Sequence, residues 1–72
     1  MTRPVKRSLT LHGHRTSVSL EDEFWQAFRD IARAHDLGIN ELAAQIDDAR
    51  GTETGLATAI RLHVLRHYRS LS

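Results

Sequence analysis

Three groups of side chains in this 72-residue chain have types and spacings that could do chemistry. The first is histidine. His63 and His67 are four apart, so on a helix they share a face, and two imidazoles so placed can bind a metal. No carboxylate lies near them in sequence, and the helical His-Glu-x-x-His arrangement of zinc proteases is absent. An unliganded surface or half-buried pair is the better reading. His12 and His14 flank Gly13 and would share one face of a strand. Two ligands alone make a weak site, so they read as turn or interface histidines.

The second group is acidic. Glu21-Asp22-Glu23 and Asp47-Asp48 have the residue types of general acid–base catalysis. Neighbours on a helix do not face each other, however, and acids crowded at a helix start are ordinary partners of its dipole. No nucleophile stands beside a base, no glycine-rich phosphate loop is present, and there is no cysteine. The expectation is no catalytic residue, no metal, no cofactor and no enzyme.

The third group is Arg15, Ser17 and Ser19, which alternate along one stretch. In a strand they share a face and offer one long cationic donor and two short hydroxyls. The major groove of DNA admits a two-stranded β-ribbon, and arginine there favours guanine edges while serine is permissive. The competing reading is a solvated strand face.

These residues need elements to hold them. Residues 8–20 alternate and are rich in β-branched and hydroxyl side chains, which predicts strand, with its clearest part at 14–20. Thr16, Val18 and Leu20 should point inward. The apolar parity changes at Gly13: Leu9 and Leu11 are odd, Val18 and Leu20 even. Gly13 is therefore a bulge or a turn. If residues 8–20 form one strand, its backbone groups need a partner that the chain does not offer, and a second copy supplies it with two-fold symmetry. A local hairpin at Gly13 weakens that need. Residues 1–7, with Pro4, read as a flexible basic arm.

Three helices follow, at about 21–35, 39–50 and 55–70. Phe24, Phe28, Ile31 and Ala32 give the first an apolar stripe that Trp25 widens. Trp25 belongs in the core or a dimer interface. Ser19 with Asp22 could form a capping box, or Glu21 could cap. Leu42, Ala43 and Ile46 form a narrow apolar face on the second helix. Thr52 and Thr54 are candidate caps for the third, whose stripe is Leu56, Ile60, Val64 and Tyr68.

The net charge of +1 is unevenly distributed. Residues 1–20 carry Arg3, Lys6, Arg7 and Arg15 without an acid. All 9 acids lie within residues 21–53, against Arg29, Arg33 and Arg50. Residues 54–72 carry Arg61, Arg66 and Arg69 without an acid. A near-neutral total argues against a general polyanion binder, whereas a basic start on an acidic body argues for one localised anion-facing surface. Arg3, Lys6 and Arg7 read equally as an arm tracking a phosphate backbone and as a solubilising tail. No signal peptide or membrane span is visible, so the expected location is the cytoplasm. A chain this short is marginal alone, and oligomerisation is a common remedy.

Residues 15–32, Arg-Thr-Ser-Val-Ser-Leu-Glu-Asp-Glu-Phe-Trp-Gln-Ala-Phe-Arg-Asp-Ile-Ala, resemble the ribbon-helix-helix (MetJ/Arc-type) domain. Leu37-Gly38-Ile39-Asn40-Glu41-Leu42 looks like the turn into that family's second helix. Residues 51–72 look like an added helix, as in a small bacterial subgroup of the family. The resemblance implies a mainly α fold with an N-terminal strand, an intertwined homodimer whose intermolecular two-stranded antiparallel ribbon reads bases, and a second helix whose N-terminus, Gly38 to Asn40, touches phosphate. Gly38 stands where the family often has Ser or Thr. Glu41, Asp47 and Asp48 on that helix are opposed only by Arg50.

Sequence and resemblance together predict a dimeric transcriptional regulator or antitoxin-like repressor that inserts its ribbon in the major groove of double-stranded DNA. The rival is a protein-interaction or oligomerisation module of the same fold that no longer binds DNA. There the third helix would join two dimers into a tetramer or dock a partner protein.

Overall fold

The computed structural model describes residues 3–71. In chain order the elements are β1 (Val5–Leu11), β2 (His14–Leu20), α1 (Asp22–Ala34), α2 (Ile39–Ala49) and α3 (Leu56–Ser70). A two-stranded antiparallel ribbon with three helices behind it is present, and each helix lies within one residue of its expected bounds, but both strands of the ribbon come from one chain where a single strand from each of two copies was expected.

Gly13 is a hairpin turn. β1 and β2 of the same chain pair antiparallel, from Leu11 opposite His14 to Val5 opposite Leu20. His12 and Gly13 both have positive φ, 52° and 80°, which is the mark of the two-residue type I′ turn. That turn matches the right-handed twist of a strand pair, so the chain folds back on itself here. The argument that residues 8–20 need a second copy to satisfy them therefore falls away. The basic arm is shortened as well: Val5, Lys6 and Arg7 are strand residues. Of residues 1–7, Met1 and Thr2 lie outside the described residues. Glycine tolerates left-handed φ at no steric cost, whereas alanine there costs about 1–2 kcal/mol. Gly13→Ala should lower stability by about that much, read as a shift of the urea midpoint at unchanged slope.

Turning at 12–13 also explains the change of parity. Odd residues of β1 and even residues of β2 share the inner face. Leu9, Leu11, Val18 and Leu20 bury there against Phe28, Ile31 and Ala32 of α1, Leu42, Ala43 and Ile46 of α2, and Ile60 and Val64 of α3. Thr16 has the inward parity but remains exposed, although Leu9 opposite it is buried.

The helix ends differ from expectation. Glu21 occupies the N-cap of α1, as one of the two alternatives had it, but its side chain makes no capping bond, and the Ser19–Asp22 box does not form. α1 ends in a Schellman pattern, with Leu37 N–H donating to Ala32 O at 2.8 Å and Asp36 N–H to Arg33 O at 3.0 Å. Asp36 holds the left-handed position, φ 57°. That leaves Gly38 to serve as the N-cap of α2. Gly55, and neither Thr52 nor Thr54, occupies the N-cap of α3.

Candidate nucleic-acid interface

The register places three side-chain pairs on the outer face of the hairpin: Lys6 opposite Ser19, Ser8 opposite Ser17, and Thr10 opposite Arg15. All six residues are exposed. Two are cations, four carry hydroxyls, and none is an acid. Neither the Lys6 nor the Arg15 side chain has a hydrogen-bond or ion-pair partner among the described residues. This face holds Arg15, Ser17 and Ser19 as expected, and it adds Ser8 and Thr10, which the sequence reading passed over. Extending the odd parity of Leu9 and Leu11 into its complement would have found them.

The face is held from behind. Arg7 belongs to the inner parity, and its side chain is only 18% exposed. Its guanidinium lies over the Trp25 ring, 5.4 Å from the centroid, and 3.5 Å from both Asp22 Oδ1 and the Leu20 carbonyl oxygen. Arg7 thus ties the start of β1 to the start of α1 and is not available as an arm cation. Trp25, half-buried, stacks on Phe28 at 5.7 Å between ring centroids. Of the expected basic arm, Arg3 remains exposed ahead of β1, and Lys6 has moved onto the ribbon.

Arg61 of α3 does the equivalent work for β2. Its guanidinium donates to Glu21 Oε1 from Nε at 3.0 Å and from Nη2 at 2.9 Å, and Nη2 also donates to the Ser19 carbonyl at 3.1 Å. The Glu21 carboxyl is held below its ordinary range, first by a bond from its own backbone N–H and then by Arg61. The added third helix is thereby fixed to the junction between ribbon and first helix.

Side-chain contacts also reveal which way the strand edges point. Thr10 N–H donates outward to Asn40 Oδ1 at 2.9 Å. Since backbone groups alternate between the two sides of a strand, Lys6, Ser8 and Thr10 turn theirs away from β2, and Arg15, Ser17 and Ser19 turn theirs away from β1. Asn40 therefore stands on the β1 edge. On the β2 edge Arg61 reaches the Ser19 carbonyl, while the N–H and C=O of Arg15 and Ser17 find no acceptor or donor among the described residues.

At the start of α2, Gly38 and Asn40 are exposed and Ile39 is half-buried. First-turn amides have no intrahelical acceptor. The Gly38 N–H, however, already donates to Glu41 Oε1 at 3.2 Å. Arg29 and Arg33 of α1 line the same open depression as Gly38 and Ile39, with Asp36 beside them. Of the three residues expected to touch phosphate, Gly38 thus has its amide already bonded, and two cations line the same depression.

The acids of α2 are engaged elsewhere. Asp47 Oδ1 accepts from Arg50 Nε at 2.6 Å, and Asp48 Oδ1 lies 2.9 Å from His12 Nε2 in the hairpin turn. His12 and His14 do not share a strand face, because His12 sits in the turn. His63 is pushed below its ordinary value, first by burial and then by His67, His35 and Arg66. His67 meets His35 edge-on at 5.8 Å and Tyr68 at 5.0 Å. A histidine cluster with cationic and aromatic neighbours is poor at attracting a metal. Among the described residues no helix is long and apolar enough to cross a membrane.

A two-stranded ribbon with a cationic, hydroxyl-rich outer face, backed by three helices, defines a β-ribbon domain. The chain belongs to the ribbon-helix-helix domain family, whose model matches residues 4–68. Comparison with curated proteins and with solved structures returned no match. Domains of this family generally bind DNA as transcription regulators, typically as dimers, and are not typically enzymes.

Proposed function

We propose that the chain is a dimeric, sequence-specific DNA-binding protein, a transcriptional regulator or antitoxin-like repressor, whose ribbon enters the major groove. The observation that carries this reading is the outer hairpin face: six exposed residues, two cations and four hydroxyls, with no acid among them. Arg15, Ser17 and Ser19 are the base-reading set. The turn from Gly38 to Asn40 approaches phosphate through the backbone amides of Ile39 and Asn40, the Gly38 amide being bonded to Glu41, with Arg29 and Arg33 beside it. Arg3 extends the positive field ahead of the ribbon.

The dimer forms along the open edge of β2. Two copies of this edge pair antiparallel about a two-fold axis near Ser17, so that Arg15 and Ser17 gain the partners they lack. The intermolecular ribbon expected from the family is then β2 against its copy, flanked by each chain's own β1.

The experiment is selection from a pool of randomised duplexes at low salt, with the mass of the complex measured in parallel. A dimer enriching two-fold symmetric half-sites is the expected result. A folded dimer that retains no duplex overturns the reading. The rival interaction module draws on α3, where Leu65, Tyr68 and Leu71 are 50%, 44% and 69% exposed. A solution tetramer that hides the ribbon would favour it.

A further inference from the structure

The family's base-reading ribbon takes a single strand from each copy, and the family match, although it spans β1, gives that strand no role. The hairpin does. Strands in a sheet lie about 4.8 Å apart, so four of them, β1-β2-β2-β1 across the dimer axis, set the outer backbones about 14 Å apart. The major groove is about 12 Å wide. The two central strands fit inside it and the two outer strands do not. They must ride over its rims, where the phosphates are.

We propose that β1 is a phosphate-contacting strand, in which Lys6, Ser8 and Thr10 grip the sugar–phosphate rails while Arg15, Ser17 and Ser19 of β2 read the bases between them. This rests on the DNA-binding dimer described above and assigns separate tasks to the two strands of one hairpin. The side chains have the right chemistry. Lys6 is a flexible point charge suited to phosphate oxygens, and Ser8 and Thr10 are short hydroxyl donors of the kind that bond phosphates. All three face outward on the same side as the reading set. The strand is held at its back, where Arg7 lies against Trp25 and Asp22, and at its edge, where Asn40 binds the Thr10 amide. The rims are thus met by a fixed strand and not by a loose arm.

Phosphate contacts set affinity and salt dependence without reading sequence, whereas base contacts carry the preference. The test compares parent, Lys6→Ala, Lys6→Gln and Arg15→Ala on duplexes selected by the parent from a randomised pool. Binding is measured across a salt series, and each variant is re-selected on the same pool. Each neutralised phosphate contributes about 0.9 to the slope of log K against log salt, so loss of both copies of Lys6 should flatten it by about 2. The Lys6 variants should keep the parent's base preferences, and Lys6→Gln, which retains a long stem without charge, should match Lys6→Ala in slope. Arg15→Ala should lose preference at one base per half-site.

A Lys6 variant that changes base preference overturns the proposal, because β1 would then lie inside the groove. So does an unchanged salt slope. In either case the parent still binds and only the assignment of β1 fails. A parent that binds no duplex removes the DNA-binding reading and this inference with it.

Discussion

Arg15→Ala flattens the base preference at one position in each half-site and leaves the fold intact. The side chain is exposed and has no partner among the described residues, so its loss removes nothing that holds the hairpin together. If its guanidinium forks onto a guanine edge, each lost contact is worth about 1–3 kcal/mol, or about 5- to 150-fold in discrimination. The contact occurs twice in a two-fold complex, so both half-sites weaken. Competition between the selected duplex and single-position variants measures this directly. The signature is a preferred base that becomes equivalent to its three alternatives at that position only. Arg15→Lys should rescue affinity at low salt better than preference, because an ammonium supplies charge without the fork. Unaltered preferences in Arg15→Ala would remove this residue from the reading set.

The largest stability loss is expected from Phe28→Ala. Phe28 is 0% exposed and lies where the ribbon's inner face, α2 and α3 converge on α1. Removing a buried phenyl ring costs about 3–5 kcal/mol, because the lost transfer energy is joined by a cavity that the neighbours fill only in part. A domain of this size has about 4–11 kcal/mol in total. The variant should therefore sit near its unfolding threshold at 37 °C. Urea titration at fixed protein concentration, with far-ultraviolet circular dichroism as the probe, checks the magnitude. Phe28→Leu, which keeps most of the volume, should lose much less. A loss below about 1 kcal/mol in the alanine variant would mean that this ring is not at the centre of the core.

Most of the fold was legible because each element carries its own period. The apolar stripes at helical spacing located three helices to within a residue, and the alternation at 14–20 located β2. The parity change at Gly13 held the key to the ribbon, yet composition alone left bulge and turn equally open. What decides between them is pairing energy across residues 5–20, a tertiary quantity. The position of Arg7 was hidden for a related reason. It reads as a basic residue near a terminus, and only the register shows that it shares the inner face with Leu9 and Leu11 and meets Trp25. Arg61 and Asn40 were illegible in a stronger sense. Their partners, Glu21 with the Ser19 carbonyl and the Thr10 amide, are 40, 42 and 30 residues away, and nothing local in the sequence marks such contacts. Of the interface, the β2 half followed from alternation. The β1 half needed the hairpin.

The contact between Asn40 and the Thr10 amide bears on solubility as much as on shape. A hairpin has two unlike edges, and docking the first of one molecule onto the second of the next would repeat without end, as every heterologous contact that fails to close does. Such a chain of hairpins would be a growing filament. With an amide side chain already seated on one of the two edges, that head-to-tail step is obstructed at its start. In the proposed dimer the β2 edge, open at Arg15 and Ser17 beside the Ser19 carbonyl that Arg61 holds, meets its own copy, and that meeting uses both such edges at once. A single asparagine, thirty residues from the strand it guards, thus favours an assembly that stops at two over one that never stops.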